Sequence, residues 1–146
     1  AAETAARYNG NIDKMVEDTL MLVFRERGAD GSHVESACHT ALALSAAFKD
    51  EGRFRLLAGI ASGPAVSGKI GSRSGKLDYT VIGNPVNLAA RLKAQADKAH
   101  ETGIIVCPNT IRMLRGLARL RFIERTEIKG RSRTFPLYEL LEMREK

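Results

Sequence analysis

The feature that most constrains this chain is a strand that turns directly into a helix, over residues 78–92, with the sequence DYTVIGNPVNLAARL. Asn84 is predicted to be the N-cap of the helix, and Pro85 fits the first helical position, where its missing N–H is not needed. Asn87 then lies in the first turn, and Arg91 follows one turn later on the same face. An amide and a guanidinium near the positive end of a helix dipole favour the binding of an anion.

The length of 146 residues, with no sign of a repeat or a second unit in the sequence, predicts a single domain over residues 1–146. The apolar runs are too short to span a bilayer, and no leader opens the chain, so we expect a cytoplasmic protein without membrane insertion in this segment. The two cysteines, Cys38 and Cys107, lack paired spacing. We therefore expect reduced, buried thiols that pack as small hydrophobic side chains.

The charge balance favours anionic partners, because 23 Lys and Arg against 17 Asp and Glu give a net charge of +6. Much of the excess falls within residues 112–133. Such a run is typical either of a nucleic-acid patch or of a solvated face that also draws in a polyphosphate. Aromatic residues are scarce and no nucleic-acid motif interrupts the run, so we expect the solvated face and no nucleic-acid partner.

Hydrophobic periodicity predicts strands alternating with helices. Apolar stretches at 12–15 and 19–25 flank a polar tip and predict a hairpin, and a capping-box spacing from Ser32 to Glu35 opens a helix predicted over 33–50. The remaining predictions, in chain order, are strands at 54–61, 66–70 and 79–82, a signature helix to about His100, a strand at 104–107, a short helix at 108–116, and strands at 120–129 and 135–141. Together they indicate a mixed sheet with packed helices.

The run at 78–92 resembles the signature of the class III nucleotidyl cyclase catalytic domain, the family of adenylate and guanylate cyclases. Further segments are similar to other motifs of that family in the same order: a hairpin at 9–24, a strand pair at 59–72, and closing strands at 128–131 and 138–140. The resemblance implies an α/β (α+β) fold, a ferredoxin-like cyclase core with a mixed, mostly antiparallel sheet. It also implies that the chain lacks the first strand and first helix of the family, where one of two metal-binding aspartates lies.

The resemblance assigns roles to five substrate-side residues. Asn87 matches the amide that orients the ribose, and Arg91 the guanidinium that stabilises charge on the reacting phosphate. Lys14 and Thr80 match the purine-contacting positions, and lysine there goes with adenine, since a side chain with only donors can meet adenine N1. Lys129 matches the lysine that holds the terminal phosphates. The Lys14 and Thr80 pair therefore indicates ATP rather than GTP.

Asp18 matches the metal ligand at the tip of the family's hairpin. An aspartate in a turn is by itself ordinary, but this position favours a carboxylate ligand for Mg²⁺ or Mn²⁺, of which two ions are expected in the intact domain. The family usually has Gly-Asp where this chain has Glu17 and Asp18. The extra carboxylate either crowds the turn or strengthens cation binding.

The implied function is that of an adenylate cyclase in cyclic-nucleotide signal transduction. The ribose 3′-oxygen of ATP attacks the α-phosphorus, which yields 3′,5′-cyclic AMP and pyrophosphate. Sites in this family form at a head-to-tail dimer interface, so we expect a homodimer in which Asp18 serves one site and the five substrate-side residues serve the other. With one metal aspartate missing, the chain alone is expected to be weak or inactive. The alternative is a non-catalytic cyclase-like module that binds nucleotide or dimerises.

Overall fold

The computed structural model describes residues 2–26, 32–71, 77–127 and 134–144. Within these ranges the chain forms helices and strands in the order α1 (Ala2–Arg7), β1 (Asn11–Val16), β2 (Thr19–Val23), α2 (Ser32–Glu51), β3 (Ala58–Ile60), β4 (Val66–Gly71), β5 (Leu77–Ile82), α3 (Asn84–Ala94), a 3-10 turn (Ala96–Lys98), β6 (Ile104–Val106), α4 (Pro108–Met113), β7 (Ala118–Glu127) and β8 (Thr134–Met143). Across the same ranges, no helix combines the length and the hydropathy that a bilayer crossing requires.

The described strands form three sheets rather than one. The largest has the order β3-β6-β8-β7, with β3 parallel to β6 and the other neighbours antiparallel. Strands β1 and β2 form one antiparallel hairpin, and β4 and β5 form another. The predicted α+β class with mixed, mostly antiparallel pairing is therefore confirmed, although the strands are divided among separate sheets.

Helices cover both faces of the four-stranded sheet, and two buried clusters hold them there. Because successive strand residues point to opposite faces, the central strand β6 contributes to both clusters. The cluster beneath α2 consists of Val34, Cys38, Ala41, Ile104, Val106, Leu114 and Leu140. The cluster beneath α3 consists of Leu88, Leu92, Ala96, Ala99, Ile105, Cys107 and Leu137. The position of α3 is thus fixed by the core of the sheet.

Two elements are shorter than the sequence predicts. Strand structure covers Ala58–Ile60 instead of 54–61, since the partner strand β6 has only three residues. The preceding Arg55 donates hydrogen bonds to loop carbonyls, those of Asp97 and Ala99, and not to a neighbouring strand. The signature helix ends at Ala94 rather than near His100, and the 3-10 turn that follows brings small residues into the core.

Both cysteines are free, buried thiols, as predicted. Burial, with smaller contributions from Cys107 and Glu35, raises the pKa of Cys38 to about 12, so this thiol stays protonated at neutral pH. Cys107 does more than fill space. Its sulfur accepts a hydrogen bond from the backbone N–H of Thr110 at 3.4 Å and so caps α4.

A buried ion pair joins β7 to β8. The Glu139 side chain is 0% exposed and accepts hydrogen bonds from the backbone N–H groups of Glu101 and Thr102 and from the guanidinium of Arg121. Burial alone would raise the pKa of the Glu139 carboxyl, but these donors outweigh it and hold that pKa below its ordinary 4.5. Arg121 belongs to the basic run predicted to be solvated; its side chain is 40% exposed, and it pairs at the same time with the buried Glu139 carboxylate.

Candidate active site

Strands β1 and β5 carry the two residues predicted to contact the purine. Lys14 lies on β1 with its side chain 48% exposed, and its Nζ lies 3.8 Å from Oδ2 of Asp13. Thr80 lies on β5, where it pairs with Gly68 of β4, and its side chain lies outside the described part of the chain. The Cα atoms of β1 and β5 approach within 8 Å of each other. The two positions predicted to contact the purine are therefore on strands that contact each other.

The tip of the β1–β2 hairpin presents Glu17 and Asp18 as exposed residues. Glu17 has φ of 55°, in the left-handed region that glycine enters without cost. The described ranges contain no group of three or more metal-ligating side chains. The carboxylate of Asp18 has the hard oxygen chemistry that Mg²⁺ and Mn²⁺ prefer, and it fits as one ligand of an incomplete set.

Helix α3 begins differently from the prediction. Gly83 is the N-cap, so Asn84 and Pro85 occupy the first and second helical positions, and Asn84 makes no capping hydrogen bond. Gly83 has φ of 155° and ψ of 174°, a conformation that is essentially restricted to glycine. A Cβ on Gly83 would also lie 3.1 Å from Cα of Ala65. The backbone N–H of Asn87 donates to the Gly83 carbonyl at 3.3 Å.

Asn87 and Arg91 lie one turn apart on α3, as predicted, with Asn87 exposed and Arg91 half-buried. Because the helix ends at Ala94, Arg91 belongs to its last turn, near the negative end of the dipole. The prediction that both residues lie near the positive end is therefore wrong for Arg91. The negative end of the helix dipole stabilises the positive charge of the guanidinium. Attraction for a phosphate must therefore come from the charge of Arg91 and not from the dipole.

Helix α3 rests directly on strand β3 at Gly59. A Cβ on Gly59 would collide with the backbone oxygen of Ala89 and would lie 2.6 Å from the backbone nitrogen of Lys93. Only a residue without a side chain permits so close an approach. Gly59 therefore sets the height of α3 above the sheet, and with it the location of Asn87 and Arg91.

Helix α3 also contacts the hairpin tip, through the side chain of Lys93. The Lys93 ammonium donates a hydrogen bond to the Thr19 hydroxyl at 3.1 Å, and both residues are half-buried. Thr19 directly follows Asp18 in sequence. The residues in this contact are 74 positions apart, and no local pattern in the sequence identifies either of them.

Among the predicted site residues whose side chains are described, Lys14, Asp18 and Asn87 are exposed and Arg91 is half-buried. A groove of about 400 Å³ runs beside the start of α3, with Asn84, Leu88 and Arg112 among its lining residues, but it includes none of the predicted site residues. Lys129, the predicted phosphate ligand, lies outside the described residues. Strand β1 contacts β5, β5 leads directly into α3, and α3 contacts the hairpin tip through Lys93 and Thr19.

Comparison with known proteins identifies a family to which this chain is similar. The family model for the adenylate and guanylate cyclase catalytic domain matches residues 7–141. Adenylate cyclase 1 of Rhizobium meliloti is 30% identical over 149 residues, covering 96% of this chain and 22% of that protein. The chain therefore spans about a fifth of the length of this curated relative.

Solved structures give the same result for the fold. The crystal structure of the adenylyl cyclase CyaB from P. aeruginosa superposes with a TM-score of 0.73 at 28% identity, covering 97% of this chain and 76% of that one. The guanylate cyclase domain of RhGC from Catenaria anguillulae, in complex with GTP, gives 0.76 at 20% identity, covering 97% and 78%. The family match, the related sequence and the shared fold agree, and the chain belongs to the class III adenylate and guanylate cyclase catalytic domain family.

Proposed function

We propose that this chain is the catalytic domain of an adenylate cyclase, which converts ATP to 3′,5′-cyclic AMP and pyrophosphate in cyclic-nucleotide signalling. The observation that carries the proposal is the continuity from β5 into α3: β5 contacts β1, the strand that holds Lys14, and leads directly into the helix on which Asn87 and Arg91 lie one turn apart. The family includes both adenylate and guanylate cyclases, so the choice of ATP rests on Lys14 and Thr80. Because the substrate is ATP, we place the domain in the cytoplasm.

In the proposed reaction the ribose 3′-oxygen bonds to the α-phosphorus while the bond from that phosphorus to the bridging oxygen breaks, and pyrophosphate leaves. The Arg91 guanidinium stabilises the charge that develops on the phosphate, and the Asn87 amide orients the ribose. Lys14, beside the Asp13 carboxylate, donates to adenine N1. Lys129 holds the terminal phosphates.

Members of this family generally use divalent metal ions. In this chain Asp18 would hold Mg²⁺ or Mn²⁺, and such ions supply charge neutralisation for the triphosphate. The described residues offer one carboxylate at the predicted metal position with Glu17 beside it. We therefore expect full activity to require further ligands, and the chain alone to be weak or inactive.

We propose a head-to-tail homodimer, in which Asp18 of one protomer and the five substrate-side residues of the other form each site. Its support is the apolar surface of β1, where Ile12, Met15 and Val16 are 42%, 66% and 61% exposed. Exposed apolar side chains next to polar site residues favour burial against a second protein surface. A second protomer would also exclude water from Lys14, which is half-exposed in the single chain.

The alternative, a non-catalytic module that binds nucleotide or dimerises, has less support. A scaffold needs neither an exposed amide nor a guanidinium one turn apart at the end of β5. The two functions differ in whether bound ATP is converted, and that difference is directly measurable.

The test is conversion of radiolabelled ATP by the chain extended at its N-terminus, with Mn²⁺ present. Asn87→Ala and Arg91→Ala should each lower kcat by about 100-fold, because each removes a group that acts on the reacting phosphate or ribose. Arg112→Ala is the matched control, since it removes an exposed arginine from α4 and should leave kcat unchanged. Nucleotide binding without conversion would support the alternative, and preferential conversion of GTP would overturn the assignment of ATP.

A further inference from the structure

The contact between Lys93 and Thr19 joins the two parts of the molecule that carry predicted catalytic groups. Lys93 Nζ lies 3.1 Å from Thr19 Oγ1, and neither residue is fully exposed. Thr19 begins β2 immediately after Asp18, so its backbone continues from that of the predicted metal ligand. A hydrogen bond from a charged donor is about twice as strong as a neutral one and fixes the hydroxyl more firmly.

Helix geometry places Lys93 away from the face that bears Arg91. The two residues are two positions apart, which at about 100° per residue corresponds to roughly 200° around the helix axis. The backbone of Lys93 is itself pressed against β3, since a Cβ on Gly59 would lie 2.6 Å from the Lys93 nitrogen. Helix α3 therefore cannot roll or shift without moving the Lys93 ammonium relative to Thr19.

We propose that Lys93 is a positioning residue: through Thr19 it sets the location of the Asp18 carboxylate and hence the affinity of the site for a divalent cation. The inference rests on the proposed function. In a head-to-tail dimer, Asp18 and Arg91 of one protomer act in different sites, so α3 physically connects the metal side of one site with the phosphate side of the other. Removing the contact should weaken metal binding before it affects nucleotide binding.

The first experiment measures the Mn²⁺ concentration that gives half-maximal ATP conversion by the N-terminally extended chain. Lys93→Met keeps the length of the side chain and removes the donor, and Thr19→Val removes the hydroxyl at nearly constant shape. Each should raise the half-maximal Mn²⁺ concentration by about tenfold, the usual effect of losing a group that orients a metal ligand, while the KM for ATP at saturating Mn²⁺ stays unchanged.

Conservative and combined variants distinguish a role of Lys93 and Thr19 in positioning Asp18 from a general loss of structure. Thr19→Ser keeps the hydroxyl and should retain the wild-type Mn²⁺ dependence. The double variant Lys93→Met with Thr19→Val should be no worse than either single variant, because both remove the same contact. Lys98→Met is the matched control, since the Lys98 ammonium pairs with Glu124 at 2.7 Å, and it should leave the Mn²⁺ dependence unchanged.

A second readout does not depend on activity. Amide hydrogen exchange at residues 17–19 should be faster in Lys93→Met and Thr19→Val than in the wild type or Lys98→Met. Unchanged exchange and unchanged Mn²⁺ dependence, in a wild-type protein that converts ATP, would overturn the inference and leave the proposed function intact. A wild type without ATP conversion would defeat the proposed function, and the exchange rates would then decide whether Lys93 holds the tip. If Lys93→Met does not fold, Thr19→Val decides both measurements.

Discussion

The four-stranded sheet and the two hairpins differ in how far their apolar side chains are buried. The three residues of β6 are all 0% exposed, with α2 on one side of the sheet and α3 on the other. Strand β1 of the first hairpin instead leaves Met15 and Val16 exposed, as β4 of the second leaves Val66. The central strand of the sheet buries its apolar side chains within one chain, whereas the hairpins leave apolar side chains that need another surface to be buried. Most of the predicted substrate contacts and the predicted metal ligand lie on the hairpins or on the helix that directly follows β5.

The charged groups differ in the same way. Glu139 in the sheet is fully buried, and its carboxylate accepts hydrogen bonds from two backbone N–H groups and from Arg121. Lys14 and Asp18 on the hairpin are exposed, where a ligand can replace water at low cost. Fixed charges stabilise the sheet, and accessible charges remain available for binding. Substitutions in the two regions should therefore affect different measurements.

The largest effect on stability is expected for Glu139→Ala. The substitution leaves the Arg121 guanidinium and the backbone N–H groups of Glu101 and Thr102 without their acceptor, which should lower the free energy of unfolding by about 3 kcal/mol. Urea denaturation followed by circular dichroism measures the change. A loss below about 0.5 kcal/mol would contradict the proposed difference between the sheet and the hairpins, because the stability of the sheet would then not depend on the Glu139–Arg121 ion pair.

Acid should reveal the same ion pair. The donors around Glu139 hold its folded-state pKa below 4.5, so its contribution to stability is fully present above that value and is lost as the pH falls through the lower, folded-state pKa. The stability advantage of the wild type over Glu139→Gln should therefore be greatest near neutral pH and should shrink below pH 4.5. Thermal unfolding of both proteins from pH 7 to pH 3 tests this, and a constant difference would contradict it.

Gly59→Ala should affect both regions, because Gly59 is where the sheet meets the helix of the site. The new methyl group would collide with the α3 backbone and force the helix outward, at a cost of about 2 kcal/mol in stability. Asn87 and Arg91 would move with the helix, so kcat for ATP should fall more than the KM changes. Steady-state kinetics of the folded variant checks the second effect, and an equal fall in kcat and rise in KM would contradict it.

The smallest effect is expected at the hairpin tip, for Glu17→Gly. Glycine relieves the cost of a left-handed conformation but adds freedom to the unfolded chain, so a net gain of about 0.5 kcal/mol in stability is expected. The Mn²⁺ concentration that gives half-maximal activity of Glu17→Gly then shows what the Glu17 side chain does at the hairpin tip. A higher requirement would indicate that the Glu17 carboxylate assists cation binding, and a lower one that its side chain crowds the turn.

Much of the fold could be predicted from the sequence where a local pattern decides the structure. The helix predicted over 33–50 is found at Ser32–Glu51, and the hairpin of β1 and β2 and the closing strand β8 lie where they were expected. These segments combine a clear apolar period with recognisable ends. Their local preferences and their tertiary contacts agree, so no distant information was needed.

The errors occur where distant residues decide the outcome. Asn84 has the chemistry of an N-cap, but the cap is Gly83, one residue earlier, where the backbone adopts a glycine-only conformation and a Cβ would meet Ala65. Cys107 has the spacing of a cap ahead of Thr110, yet its apolar surroundings favoured a purely packing role. In the candidate site, the roles of Asn87 and Arg91 follow from a motif, whereas the contact of Lys93 with Thr19 depends on how two elements meet and has no counterpart in the local sequence.

The close approach at Gly59 limits how this domain could change its choice of substrate during evolution. No side chain exists there to be trimmed or enlarged, so the separation of α3 from the sheet cannot be adjusted by small steps. Under the proposed function, selection for another nucleotide would therefore act on β1 and β5, where the side chain of Lys14 is 48% exposed. A rigid catalytic helix beside replaceable recognition strands would allow base preference to diverge while the chemistry of the phosphate stays the same.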